Sequence, residues 1–195
     1  MSKIAIFASG AGSNARQIIE YLRKKNSSIQ VDCIICNKEN AGVLEVSRAL
    51  NVPFFYFTND LFVSGTELQN HLNNRGVEWI VLAGFLRKIA PSMINAFKDK
   101  IINIHPSLLP SYGGKGMYGD YVHQAVLEAK EKESGISIHL VNEKFDEGRI
   151  LFQKSCKIDA DETVESLSKK IHQLEHQYYP RVIEAIINQD NEDRV

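Results

Sequence analysis

Ile101-Ile102-Asn103-Ile104-His105-Pro106-Ser107-Leu108-Leu109-Pro110 decides how this chain is read. The β-branched residues at 101, 102 and 104 suit a covered strand. Pro106 has no N–H to donate, so a central strand stops near His105. Side chains alternate across a strand, which puts Asn103 and His105 on one face. An amide and an imidazole at the carboxyl end of a strand stand where open α/β sheets bind ligands. Spacing alone leaves a plainer arrangement open, a hydrogen-bonded polar pair ahead of a Pro-rich turn.

Upstream, apolar residues 4–8 run into Ser9-Gly10-Ala11-Gly12-Ser13-Asn14, and Ile18, Ile19 and Leu22 follow at helical spacing. Strand, glycine loop and helix together aim backbone N–H groups at an anion. Gly10, Gly12 and Ala15 also satisfy a dinucleotide fingerprint. That fingerprint wants an acid at the end of the second strand, and residues 31–36 end in Asn37-Lys38. A phosphate monoester is therefore expected at this loop in place of NAD. Residues 41–50 read as a helix with Val43, Leu44, Val46 and Ser47 inward, and 52–57 as a strand. A helix around Leu68 and Leu72 spans 65–75, and 78–83 is an apolar fourth strand. The alternation predicts a single α/β domain, a Rossmann-like, mostly parallel central sheet with helices on both faces. Such an order sets the loops after the first and fourth strands side by side, with the 101–105 strand next.

Downstream, 91–97 is a short helix with Pro91 in its first turn. Residues 111–119 hold four glycines in nine positions, which suits either a lid or a mobile surface connection. Residues 122–130 return to helix, and 131–133 read as a solvated turn. Residues 135–141 form a strand with Ser137 and His139 on one face, and 150–156 form another. Between them Asp146 sits in a glycine turn, where a carboxylate can serve its own backbone. From Thr163 a helix carries Val164, Leu167, Ile171, Leu174 and Tyr178 as its apolar stripe, with His172, Glu175 and His176 on another face. Pro180 is expected to kink or end it, and 188–195 to fray.

Composition narrows the classes. A net charge of −1 over 195 residues gives no general field for nucleic acid or an anionic membrane. No apolar run of about 18 residues is present to span a bilayer, and no secretory leader is expected. Three cysteines, an odd number, argue against a disulfide framework and for the cytoplasm. Cys33 and Cys36 lie in an apolar strand and read as core thiols, as does Cys156. His105 and His139 lack zinc-ligand spacing, so no metal is expected. Without a G-x-S-x-G elbow, and with Ser107 in a Pro-bounded turn, no acyl-enzyme is expected either.

Six ordered motifs run from Gly10 to Pro180: G-A-G-S-N, L-A-G-F-L-R, N-I-H-P-S-L-L-P, S-I-H-L-V, F-D-E-G and L-E-H-Q-Y-Y-P. By these the sequence resembles the folate-dependent formyltransferases, in particular those that formylate glycinamide ribonucleotide in purine synthesis. The resemblance implies 10-formyltetrahydrofolate as co-substrate, no metal, and the amine of glycinamide ribonucleotide as acceptor. It implies Asn103, His105 and Asp146 as the catalytic trio. It assigns Gly10, Ala11, Gly12, Ser13 and Asn14 to the ribotide phosphate with His172 nearby, and Glu175 to the glycinamide amine end. Leu86, Arg87, Lys88 and Ile89, with Val141, Asn142, Glu143 and Phe145, correspond to the pterin-binding walls. The formyltransferase domain 1–195 then divides into a ribotide-binding half, 1–100, and a folate-binding and catalytic half, 101–190.

The chemistry suits those side chains. An amine attacks the formyl carbon, and Asn103 and a protonated His105 are donors for the oxyanion. Asp146 favours the imidazolium and assists removal of the amine proton. Partners are expected to be small molecules only, with a monomer or weak homodimer in solution. The 113–119 segment differs from the shorter form of many relatives, so no catalytic role passes to Tyr118 or His123. Ser64-Gly65 stand where some relatives have arginine, which leaves contacts to the folate tail undefined. A methionyl-tRNA formyltransferase is expected to carry a further C-terminal domain and a basic loop, and a formyl-folate deformylase an N-terminal domain. A sugar-amine formyltransferase stays open, and a non-catalytic binding module would be expected to have lost one of the trio.

Overall fold

In the computed structural model, which describes residues 1–193, the apolar runs assemble into one seven-stranded sheet. Its strands are β1 (Ser2–Ala8), β2 (Ile29–Cys36), β3 (Phe54–Tyr56), β4 (Trp79–Leu82), β5 (Ile101–His105), β6 (Glu133–Leu140) and β7 (Ile150–Lys157). They lie in the order β3-β2-β1-β4-β5-β6-β7. The first five run parallel, while β6 is antiparallel to β5 and β7 to β6. Strand order reverses between β1 and β4, each later strand being added on the opposite side of β1, and at such a switch point these sheets open a crevice.

Alternation along β1 shows why its sequence is apolar throughout. Ile4, Ile6 and Ala8 join one helical layer, and Ala5 and Phe7 join the other. The first layer holds α1 (Ser13–Lys24), α2 (Val43–Leu50), α6 (Asp120–Glu128) and α7 (Val164–Glu192). The second holds α3 (Asn59–Ser64), α4 (Thr66–Asn74) and α5 (Pro91–Ala96). A strand covered on both faces needs no polar side, which is the pattern of a parallel sheet. Phe7 meets Phe62 and Phe85 edge-on, with ring centroids 6.0 and 5.5 Å away. Cys33 and Cys36 point into opposite layers, both fully buried and unpaired, and burial pushes the Cys33 thiol up to about 12.

Several local expectations give way to packing. Helix α3 precedes the expected helix because Phe62 can anchor a single turn-and-a-half against Phe85. Glu133 pairs with Lys157 as the start of β6 and is not part of a turn. Helix α7 begins as expected: Thr163 Oγ1 accepts from Ser166 N at 3.1 Å, and Thr163 N donates to Ser166 Oγ at 2.9 Å. It then continues as helix past Pro180 and does not end there. Tyr179 before the proline and Ile183 and Ile187 after it are all completely buried in one layer, so packing on both sides outweighs the lost backbone bond. The Tyr179 hydroxyl is shared between Leu82 O at 2.9 Å and Ile102 O at 3.1 Å, fastening α7 beneath β4 and β5.

The buried stripe of α7 is Leu167, Ile171, Glu175, Tyr179, Ile183 and Ile187, and Leu174 and Tyr178 flank it half-buried. Glu175 thus belongs to the inward face and not to a separate polar one. A carboxylate within the stripe hid its register from an apolar count. The expected fraying from 188 onward is not seen. Asn188 and Asn191 accept hydrogen bonds from Ser28 Oγ and Ser2 Oγ, and helix continues to Glu192. Arg194 and Val195, the end of that expected tail, lie outside the described residues.

Candidate active site

The loops leaving β1 and β4 are joined by main-chain and side-chain bonds. Ser9 N donates to Gly84 O at 3.1 Å, and Leu86 N donates to Ser9 Oγ at 3.1 Å. Ser9 Oγ in turn donates to Asn37 Oδ1 at 2.7 Å in a buried bond, so the ends of β1, β2 and β4 are tied in one network. Beyond it Gly12 adopts φ 80°, and a Cβ there would lie 2.7 Å from Val43 Cγ2. Only glycine fits that close approach of loop to helix α2. Ser13 and Asn14 open α1, whose first N–H groups have no intrahelical acceptor and face the crevice as anion donors. Asn14 Nδ2 donates to Glu175 Oε2 at 2.8 Å, linking this loop to α7. Burial raises the Glu175 carboxyl above its usual range, against the opposing bond from Asn14.

The antiparallel register of β5 and β6 builds the second cluster. Asn103 lies opposite His139, and His105 opposite Ser137. His139 Nδ1 donates to Leu140 O at 2.9 Å, which leaves Nε2 to accept from Asn103 Nδ2 at 3.1 Å. Ser137 Oγ donates to Ser107 O at 2.6 Å and accepts from Leu109 N at 2.9 Å, holding the turn after His105. His105 Nε2 donates to Tyr112 O at 2.8 Å, so its Nδ1 is the edge that meets Asp146 Oδ2 at 3.5 Å.

Asp146 is presented by the β6–β7 turn in a left-handed conformation, φ 57°. Gly148 closes that turn against Leu140 O, where a Cβ would come within 1.7 Å. The carboxylate accepts from Gly114 N at 2.9 Å and lies 3.6 Å from His139 Nε2. Burial works against its charge. His105 and the Gly114 N–H oppose that penalty, and the carboxyl is held below its ordinary range. For His105 the balance is reversed: burial lowers the imidazole below its ordinary value despite Asp146 and the Tyr112 carbonyl.

Both clusters line one cavity of about 630 Å³. Of the residues singled out from sequence, Gly10, Ala11, Gly12, Ser13, Asn14, Asn103, His105, Asp146, His172 and Glu175 all line it. Leu86, Arg87, Lys88, Ile89, Val141, Asn142 and Phe145 line its other end. Glu143 does not; its side chain is exposed outside the cavity. Leu86 and Phe145 stay 51% and 43% exposed, an apolar mouth suited to a flat ring, and Lys88 Nζ lies 5.7 Å from the Phe145 ring centre. Sequence reasoning missed His139, His123 and Ser168 as lining residues. The shared face of Ser137 and His139 was the available signal for the first, and nothing in the local pattern marked the others. Among the described residues no group of His, Cys, Asp and Glu is placed to hold a metal ion, and no helix is long and apolar enough to cross a membrane.

Known proteins share this fold. The family described as formyl transferase matches residues 2–183. The phosphoribosylglycinamide formyltransferase of Bacillus subtilis is 38% identical over 195 residues, covering 98% of this chain and 97% of that one. A chloroplastic phosphoribosylglycinamide formyltransferase of Arabidopsis thaliana is 40% identical over 94% of this chain, which spans 65% of that longer protein. The crystal structure of glycinamide ribonucleotide transformylase 1 from Geobacillus kaustophilus superposes with a TM-score of 0.88 at 34% identity, covering 95% of this chain and 98% of that one.

Proposed function

The chain belongs to the formyl transferase family, and from that premise we propose that it moves the formyl group of 10-formyltetrahydrofolate onto the amine of glycinamide ribonucleotide in purine biosynthesis. The observation that carries the reading is the His105–Asp146 pair at 3.5 Å beside Asn103, in one cavity with an anion-binding glycine loop. In this reading the ribotide phosphate rests on the N–H groups of the 10–14 loop with His172 beside it, and Glu175 faces the glycinamide end. The folate ring lies against Leu86, Arg87, Lys88 and Ile89 on one wall and Val141, Asn142 and Phe145 on the other. The 1–100 half contributes the phosphate loop, and the 101–190 half the reacting groups.

The amine lone pair forms a bond to the formyl carbon while the carbonyl electrons move onto oxygen. Asn103 N–H₂, oriented by His139, donates to that oxyanion; one such donor is typically worth about 10²–10³-fold in rate. The Nε2–H of His105 is committed to Tyr112, so His105 donates to the oxyanion only through Nδ1, in the protonated ring. Charge developing on the oxygen, added to that of Asp146, favours that protonation. Asp146 then accepts the proton lost by the attacking nitrogen, directly or through water, and that proton passes to the folate nitrogen as the oxyanion collapses to a carbonyl and the bond from carbon to that nitrogen breaks. Small molecules are the partners, the acting form is a monomer or weak homodimer, and the three unpaired cysteines suit the cytoplasm.

Spectrophotometric release of tetrahydrofolate with and without ribotide tests the assignment. Release that requires ribotide and yields the formylated ribotide is expected; release at the same rate without ribotide would make the protein a deformylase.

A further inference from the structure

His123 stands on α6 with 2% of its surface exposed, and that remaining surface faces the cavity. Its Nδ1 is sealed from solvent and has no hydrogen-bond partner among the described residues. A buried polar atom without a partner is costly, so a fold that keeps one calls for an explanation. Asp120 on its own helix, His172 of α7 and His105 of β5 are the charged or titratable groups close enough to act on the ring, and all of them line the same cavity. The mechanism above does not use it.

The arrangement fixes what the ring can offer. An orphaned acceptor is tolerated better than an orphaned N–H, so the sealed Nδ1 carries the lone pair. The proton then belongs on Nε2, at the edge open to the cavity, and the neutral ring presents a single donor. A neutral, desolvated donor suits a hydroxyl or ether oxygen better than a dianion. The dianion already has the α1 N–H groups and the more exposed His172. We propose that His123 is a binding residue for the sugar of the acceptor substrate, its Nε2–H donating to a ribose oxygen between the phosphate and the amine. The inference rests on the ribotide reading, and it adds a contact that fixes where along the cavity the amine comes to lie.

Two measurements test it together. With isotope-labelled histidine, the imidazole nitrogens of the wild-type protein are followed by NMR as ribose 5-phosphate is added. His123 is expected as the Nε2–H tautomer, and its Nε2 resonance is expected to move on binding. In steady-state kinetics His123→Leu is expected to raise the ribotide KM about tenfold, the worth of one such hydrogen bond, and to leave the folate KM unchanged. His123→Gln, whose amide N–H₂ reaches about as far as Nε2, is expected to recover most of the loss. A resonance that stays still at saturating ribose 5-phosphate, no binding of that sugar, an Nδ1–H tautomer, or a Leu variant with an unchanged ribotide KM would overturn the proposal. A moving resonance in a protein that fails to formylate the ribotide would leave the sugar site standing and remove the reaction assigned to it. A working transferase with an unmoved resonance would do the reverse.

Discussion

The parallel and antiparallel parts of the sheet meet at β5 and furnish the cavity by different means. On the parallel side the groups facing it are largely main-chain: the N–H groups opening α1 and the loop after β4, pinned through Ser9 to Gly84 and Leu86. On the antiparallel side they are side chains set by register and turn. His139 is opposite Asn103 in β6, and Asp146 is carried on the β6–β7 turn. Main-chain donors cannot titrate and hold a fixed anion. Imidazole and carboxylate can exchange protons, so binding and chemistry are divided between two kinds of strand connection.

That division is tested most severely at Asp146. Asparagine tolerates the left-handed backbone and can still accept from Gly114 N through its amide oxygen. Asp146→Asn should therefore fold normally and lose at least about 100-fold in turnover, the scale of a positioned acid–base group, with both KM values little changed. Turnover near wild type in stopped assays of tetrahydrofolate release would take Asp146 out of the chemistry and blur the contrast between the two sides.

The same contrast explains what the sequence revealed. The parallel side was legible because strand, glycine loop and helix follow one another along the chain, and each leaves a local mark: residues 4–8 apolar, glycines 10 and 12, then Ile18, Ile19 and Leu22 at helical spacing. Asn103 and His105 were legible from alternation and Pro106. Asp146 was not, since a carboxylate in a glycine turn reads as local capping until β6 and β7 pair and bring it to His105; the resemblance supplied it. His139 and His123 take their meaning from neighbours 36 residues away at Asn103 and from across the cavity, which no local period records. Pro180 misled for the matching reason: its local cost is visible in sequence, and the packing of Tyr179 and Ile183 that outweighs it is not.

Two neighbouring glycines sharpen the account of the parallel side. Nothing lies within 4 Å of a Cβ placed on Gly10, whereas one on Gly12 meets Val43 at a positive φ. Gly12→Ala should cost at least about 1–2 kcal/mol of stability from the left-handed backbone alone, seen as a lower thermal midpoint. Gly10→Ala should melt like the wild type and instead raise the ribotide KM several-fold, because its methyl group occupies space the phosphate approaches. Equal effects of Gly10→Ala on the ribotide and folate KM would place the anion elsewhere.

Glu175 gives the smallest effect and bears on how the two sides are coupled, since it reaches from α7 to Asn14 on the parallel side. Its carboxyl is raised by burial above the unfolded value. The folded state therefore holds the proton more tightly than the unfolded one. That contribution to stability is complete below the unfolded pKa, about 4.3, and is lost as pH rises through the folded pKa. Glutamine imitates the protonated form and keeps an oxygen to accept from Asn14. Glu175→Gln should thus raise the thermal midpoint by a few degrees at neutral pH, the shift expected for about 1 kcal/mol, and the difference should vanish at about pH 4. The same variant should bind ribotide more weakly, because stability gained by removing a buried charge is taken from the group that meets the substrate. A midpoint lowered at neutral pH would mean that the ionised carboxylate is stabilised by a partner other than Asn14, and α7 would then support the anion loop by charge and not by its hydrogen bond.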